Sequence, residues 1–274
     1  MDAPYQAAPD VHVLPTSLPL PGVGVLPVNA YVLHSEEPVL VDGGIGADTD
    51  QFVDALASVI DPRELRWVWL THDDADHTGS IQRVLGLAPR ARLVTHAFAA
   101  LRMSSWCPVP LDRVHAIRAG DRLSVGDRTL RAVPPPLYDN PMSTGLFDEA
   151  TGSFFSVDSF GALLPQAVED AAEVPHDALA GGMLAWATFD SPWAHLTDRQ
   201  QYGRVLEGVR RLQPSRIFSS HLPAANGTSL DRFLQVLESV PDAEPAVAPD
   251  HEQFGHMVAA MLAAQPDLQP VAAT

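Results

Sequence analysis

Residues 71–79 of the chain read THDDADHTG and place two histidines and three aspartates in one short segment. The residues before it, 66–70, read RWVWL, an apolar run with aromatic and β-branched character that predicts a buried strand. Residues 80–85 read SIQRVL, which predicts a helix. A loop that connects a core strand to a helix can direct several side chains into one pocket. The segment therefore indicates a strand, a polar loop and a helix, in that order.

The polar residues of this loop are of the types that bind metal ions. His72, Asp74 and Asp76 alternate along the chain, which suits one side of an extended loop, and His77 follows directly. Such a density of imidazole and carboxylate groups is typical of a metal site. The alternative is a solvated acidic turn in which one Asp caps the next helix, but a cap requires only one of the five residues. We therefore predict a metal site here.

Composition restricts the class of partner. The chain has 274 residues, 46% of them hydrophobic, and a formal net charge of −17, which does not favour nucleic acid or an anionic membrane as a partner. Cys107 is the only cysteine, so no intrachain disulfide can form, as in proteins of a reducing compartment. Neither a signal-peptide pattern nor a run long enough to span a membrane is visible. We expect a cytoplasmic protein without a membrane partner.

Strand and helix patterns alternate along the chain in two successive sets. Strands are predicted at residues 11–14, 29–33, 38–42, 92–95, 114–117, 122–125, 129–133, 153–157 and 216–219. Helices are predicted at residues 51–60, 96–103, 199–212, 230–240 and 250–264. Glycine and proline predict a loop at 16–27, and residues 166–187 are expected to be helical or irregular. This order predicts an α/β (α+β) fold in which two sheets pack together with helices outside.

Four stretches of the sequence resemble the metallo-β-lactamase superfamily: residues 29–44, 71–79, 154–161 and 218–221. The usual loop of that superfamily reads His-x-His-x-Asp-His, whereas this chain has an aspartate, Asp74, in place of the second histidine. The flavodiiron branch and its free-standing oxygen-binding relatives carry a glutamate there, and residues 156–161, SVDSFG, are similar to their Ser-x-Asp-Ala-Phe-Gly segment. The resemblance implies one domain over residues 1–274, a four-layer αββα sandwich with a metal pair at one end of the sheets.

The resemblance also implies a ligand set. Six histidines and aspartates would be divided between two ions: His72, Asp74 and Asp158 at the first, and Asp76, His77 and His221 at the second, with Asp158 as the bridge. The branch adds a histidine to the first metal after the strand at 129–133, but residues 134–142 of this chain read PPPLYDNPM. Tyr138, Asp139 or a water molecule would take that place, and the sequence leaves the three open.

The ligand types favour some metals over others. Three aspartates supply three negative charges against four from two divalent ions, so one bridging hydroxide neutralises the site. Carboxylate in place of imidazole makes the ligand set harder, which favours iron, with manganese or zinc as the alternatives. Asp76 is a predicted catalytic residue as well as a ligand. His195 is the other, as an acid, a base or a substrate donor, although an exposed loop histidine is the competing interpretation.

Two classes of activity are compatible with these ligands. The first is a di-iron protein that binds or acts on O2, NO or an oxidisable substrate. In flavodiiron proteins a flavin domain follows the metal domain, and because this chain ends at Thr274 we expect an external electron donor. The second is a metal-dependent hydrolase of an ester, lactone, thioester or phosphate, which needs only a metal-bound hydroxide. A sensor without catalytic activity is a third alternative, and a homodimer is open in each case.

Overall fold

Two β-sheets form the centre of the structure, a computed structural model that describes residues 1–20 and 22–264. The first sheet has seven strands in chain order: β1 (Tyr5–Ala8), β2 (Val11–Leu20), β3 (Gly24–Leu33), β4 (Val39–Val41), β5 (Trp67–Trp69), β6 (Arg92–Thr95) and β7 (Val114–Ala116). The second sheet has six: β8 (Arg122–Ser124), β9 (Thr129–Val133), β10 (Gly145–Asp148), β11 (Ser153–Phe155), β12 (Arg216–Phe218) and β13 (Ala225–Asn226). Their order across the second sheet is β13-β12-β11-β10-β9-β8.

Eight α-helices accompany the sheets in the described part of the chain. They are α1 (Thr49–Val59), α2 (Ala75–Thr78), α3 (Ile81–Leu87), α4 (Ala97–Met103), α5 (His176–Asp190), α6 (Arg199–Arg210), α7 (Leu230–Ser239) and α8 (His251–Ala264). None of these helices is long and apolar enough to cross a membrane.

Three apolar layers separate the sheets and helices. Alternate residues of a strand point to opposite faces, so β4 directs Val39 and Val41 toward the second sheet and Leu40 toward the helices. Trp69 and Phe155 fill the layer between the sheets and are both buried. In the outer layers, α1 and α3 pack on the first sheet and α5 to α7 pack on the second. The predicted four-layer αββα sandwich is therefore confirmed.

The two sheets combine parallel and antiparallel pairs. In the first sheet β4, β5, β6 and β7 are parallel neighbours, and in the second only β11 and β12 are parallel. Parallel strands need a crossover connection, and the helices α1 to α4 provide it on one face. The carboxyl ends of β4 and β5 therefore lie at the same edge of their sheet, as do those of β11 and β12.

The prediction of a loop at residues 16–27 is wrong. This stretch forms most of a long hairpin between β2 and β3, in which Leu20 pairs with Gly24 and Ser17 with Pro27. The prolines are tolerated because β1 pairs with β2 only as far as Val13, so the rest of β2 is an edge strand. The strand predicted at 11–14 is likewise longer than expected, and β1 and β10 were not predicted.

Candidate metal centre

The polar residues of the candidate site follow the ends of four strands. Asp42 follows β4, His72 follows β5, Asp158 follows β11 and His221 follows β12. Because each sheet contributes the carboxyl ends of a parallel pair, the four segments meet at one end of the sandwich. A backbone hydrogen bond from Asn29 to the carbonyl of Ser220, at 2.8 Å, joins the two sheets beside this meeting point.

The turns that carry Asp42 and Asp158 have an unusual backbone. Asp42 has a φ of 61° and Val157 a φ of 58°, in the left-handed region that a β-branched residue rarely adopts. Strained conformations of this kind persist only where the surrounding structure imposes them, and they are concentrated at functional sites. Here they turn the chain sharply so that the Asp158 side chain points into the space between the sheet ends.

Glycines allow two loops to lie directly against each other. The amide of Gly43 donates to the carbonyl of His77 at 2.7 Å, and that of Gly79 donates to the carbonyl of Gly44 at 2.9 Å. A Cβ atom on Gly79 would lie 2.1 Å from the backbone nitrogen of Gly46, so only glycine fits. The loop that contains His72 and His77 is thus fastened to the loop after β4.

Four side chains converge where the sequence predicts the second metal position. Nε2 of His77 lies 3.2 Å from Oδ1 of Asp158 and 3.5 Å from Oδ2 of Asp76. Nε2 of His221 lies 3.1 Å and 3.4 Å from the same two oxygens. Two ligand atoms that are each about 2.1 Å from one ion, at right angles, lie about 3.0 Å apart. The spacing of these four atoms therefore suits adjacent places around a single ion.

The remaining predicted ligands lie together at the predicted first metal position. Nε2 of His72 lies 3.4 Å from Oδ2 of Asp158, 3.8 Å from Oδ2 of Asp74 and 3.9 Å from Oδ1 of Asp139. Asp158 therefore directs one oxygen to each position, as a bridge requires. Of the two side chains that the sequence left open, Asp139 lies beside His72, whereas the ring of Tyr138 stacks on Trp193 with the centroids 5.0 Å apart.

Unsatisfied polar atoms indicate that the residues present fit a metal pair. Nε2 of His77 and both carboxylate oxygens of Asp158 are buried and make no hydrogen bond. Buried polar atoms nearly always have a partner, so three orphaned atoms at one point call for an ion. The two residues are only 1% and 3% exposed. The six predicted ligands and Asp139 form connected groups of possible metal ligands.

Hydrogen bonds outside the site fix the direction of the histidines. Oδ2 of Asp42 accepts from Nδ1 of His77 at 2.9 Å and from Oγ1 of Thr71 at 2.9 Å, while its Oδ1 accepts from the Thr71 amide at 2.8 Å. Nδ1 of His221 donates to the carbonyl of Pro27 at 2.8 Å. A proton held on Nδ1 leaves the lone pair of Nε2 free for a metal.

The electrostatics of the site show an excess of negative charge. Burial disfavours the charged imidazole of His77, yet Asp76, Asp42 and Asp158 hold its pKa well above the usual value. Burial, together with the neighbouring carboxylates, raises the pKa of Asp139 to about 8. Like charges held this close cannot all remain ionised without a cation. The carboxylates therefore favour the binding of positive ions.

Sequence reasoning missed several residues around the site. Asp190, at the end of α5, has a carboxylate oxygen within 4.8 Å of those of Asp139 and Asp158. Asn140 donates to Asp74 at 2.8 Å, and the ring centroid of Trp186 lies 4.7 Å from that of His221. These residues belong to segments without a recognisable motif, and only the folding of the chain brings them to the loop at 71–79.

His195 is the predicted site residue that is not joined to the cluster. It lies in a 3₁₀ turn, Pro192–Leu196, and its Nε2 atom is buried without a hydrogen-bond partner. In the described part of the chain, no hydrogen bond or ion pair connects its ring to the metal-ligand candidates. The catalytic role of His195, like that of Asp76, stays a prediction.

Comparisons with known proteins identify a family and several relatives of this chain. The model of a family described as ODP family beta lactamase matches residues 26–221. Diflavin flavoprotein A 1 of Synechocystis sp. is 28% identical over 134 residues, which are 48% of this chain and 23% of that protein. A flavo-diiron protein of Clostridium acetobutylicum is 26% identical over 134 residues, 48% of this chain and 34% of that protein. The matched segment thus spans about a third or less of these relatives.

A solved structure shows the same fold. Rubredoxin oxygen:oxidoreductase from Desulfovibrio gigas superposes with a TM-score of 0.78 over 89% of this chain and 62% of that chain. The two sequences are 18% identical, so this likeness concerns the fold alone.

Proposed function

The chain belongs to the ODP family of beta-lactamase-fold proteins, and from this premise we propose that it is a di-iron protein that binds or reduces O2 or NO with electrons from an external donor. The predicted resemblance to the metallo-β-lactamase superfamily and its flavodiiron branch is confirmed. The relatives' names include a flavo-diiron protein and an oxygen:oxidoreductase, and they supply the class of activity for this proposal.

The composition of the first metal position is the observation that carries the proposal. Asp74 and Asp139 lie within reach of a single histidine, His72, and Asp158 would be the bridge beside them. Carboxylates are hard donors, so this set favours iron or manganese over zinc and stabilises the ferric state. Hydrolysis at a zinc site does not require a stabilised ferric state. We therefore favour the oxidoreductase over the hydrolase.

The chain's own residues hold, orient and shield the site. When bound, an iron pair would supply binding and electron transfer to a small gas molecule. Asp42 and the carbonyl of Pro27 keep Nε2 of His77 and His221 directed into the site. The indole of Trp186 packs against the His221 ring and donates to the carbonyl of Asp158 at 3.3 Å, so it covers that side of the ring.

The test compares the two classes of activity on the same protein, loaded with iron or with zinc. The protein is isolated without oxygen, its metals are counted, and the consumption of O2 and NO is followed with a chemical reductant in excess. We expect iron to be bound and the gas to be consumed at a rate proportional to the iron content. Iron-loaded protein that consumes neither gas, together with zinc-loaded protein that cleaves ester or lactone probes, would instead support the hydrolase.

A further inference from the structure

Asp190 lies beside the first metal position although it is far from every motif of the site. It is the last residue of α5, and one of its carboxylate oxygens lies within 4.8 Å of those of Asp139 and Asp158. Its one hydrogen bond comes from Oγ of Ser191, at 3.1 Å, and among the described residues no arginine or histidine forms an ion pair with it. The carboxylate is thus left without a cationic partner.

Two further observations point to a cation at this place. Asp158, whose carboxylate lies beside that of Asp190, is 3% exposed, and both of its oxygens make no hydrogen bond. The C-terminal end of a helix carries a partial negative charge, which disfavours a carboxylate there unless positive charge is near. A metal ion at this place would give the Asp158 oxygens a partner and would offset the negative charge at the helix end.

We propose that Asp190 is a ligand of the first metal ion, an inference that rests on the metal pair of the proposed function. The two positions then differ in character. The first has one imidazole and four carboxylates, from His72, Asp74, Asp139, Asp158 and Asp190. The second has two imidazoles and two carboxylates, from His77, His221, Asp76 and Asp158.

This difference makes the two positions select different ions. A carboxylate-rich set suits Mn²⁺ and Fe³⁺, whereas imidazole ligands suit Fe²⁺ and Zn²⁺. The charges agree: the five aspartates of both positions and one bridging hydroxide supply six negative charges, which balance two trivalent ions. With only Asp74, Asp76 and Asp158, the same hydroxide would balance two divalent ions. Asp139 and Asp190 thus favour the oxidised form of the centre.

The experiment titrates metal-free protein with Mn²⁺ and with Zn²⁺ and compares wild type with Asp190→Asn. Asparagine keeps the size of the side chain and removes the charge. We expect the variant to lose Mn²⁺ affinity at one position by at least about tenfold, because the loss of even an outer hydrogen-bond partner of a ligand costs about tenfold to a hundredfold. The electron paramagnetic resonance spectrum, which reports coupled Mn²⁺ pairs, should change to that of single ions. Zn²⁺ binding at the other position should be retained.

The matched control is Asp177→Asn, which removes an exposed carboxylate from the first turn of the same helix. It should leave both titrations unchanged. If Asp190→Asn does not fold, as judged by its circular dichroism, Asp190→Ser gives the same comparison.

Wild-type Mn²⁺ affinity and a coupled spectrum in the Asp190 variants would overturn the inference. This failure differs from failure of the proposed function, in which the wild-type protein itself would bind no metal pair or would not react with O2 or NO.

Discussion

Substitution of Asp42 by asparagine tests the hydrogen bonds that direct the site. The Asp42 carboxylate accepts three hydrogen bonds: two from Thr71 and one from Nδ1 of His77. The amide of asparagine offers one accepting oxygen and one NH2 group. The NH2 group, itself a donor, must therefore face either the N–H of Thr71 or the N–H of His77 Nδ1. The backbone is not strained by the change, because asparagine tolerates the φ of 61° at this position.

The expected result is a loss of affinity at one metal position. Loss of an outer hydrogen-bond partner of a metal ligand lowers affinity by about tenfold to a hundredfold, or about 1.4–2.7 kcal/mol. His77 is a predicted ligand of the second position, so binding of that ion should weaken. The first ion should be retained, because Nδ1 of its ligand His72 contacts Oγ1 of Thr71, at 3.2 Å.

The assay is a competitive titration of metal-free protein against a chelator, read separately for each equivalent of metal. Asp54→Asn is the control, since Asp54 is exposed on α1. Unchanged affinity in Asp42→Asn, or an equal loss at both positions, would refute the assignment of Asp42 to His77.

Two other substitutions test the ligand set and the fold. Asp74→His restores the histidine of the common superfamily loop and makes the site one unit more positive, so purification from a medium with both metals should give a higher ratio of zinc to iron and a higher reduction potential; an unchanged ratio and potential would contradict the role of Asp74. Arg128→Ala should lower the free energy of unfolding by about 3 kcal/mol, measured by urea denaturation, because it leaves the buried Asp148 carboxylate, 3.1 Å from Nη1 of Arg128, without its cation. A loss below about 1 kcal/mol, the range of exposed pairs, would contradict that account.

Much of the fold follows from local pattern, and the parts that were missed depend on long-range pairing. The strand before the loop at 71–79 and the strand at 129–133 were predicted because their apolar patterns are visible over a few residues. The hairpin of β2 and β3 was missed because its prolines argue for a loop, and only the absence of a second neighbour beyond Val13 makes them acceptable.

The site shows the same limit. Loop 71–79 contains four of the six predicted ligands, so their proximity could be inferred from spacing alone. The choice between Tyr138 and Asp139 could not be made, because it depends on the stacking of Tyr138 against Trp193, 55 residues further along the chain. Asp190 carries no motif, and its approach to Asp158 depends on the packing of α5 over the second sheet.

Asp158 is the residue that both metal positions share, so its removal gives the most direct test of the binuclear centre. Wild type and Asp158→Ala are purified in parallel from cells supplied with iron, and the iron bound per chain is measured. The account predicts two iron ions per chain in the wild type and the loss of both in Asp158→Ala. Retention of one or two ions in Asp158→Ala, or a wild type that binds zinc and no iron, would contradict it.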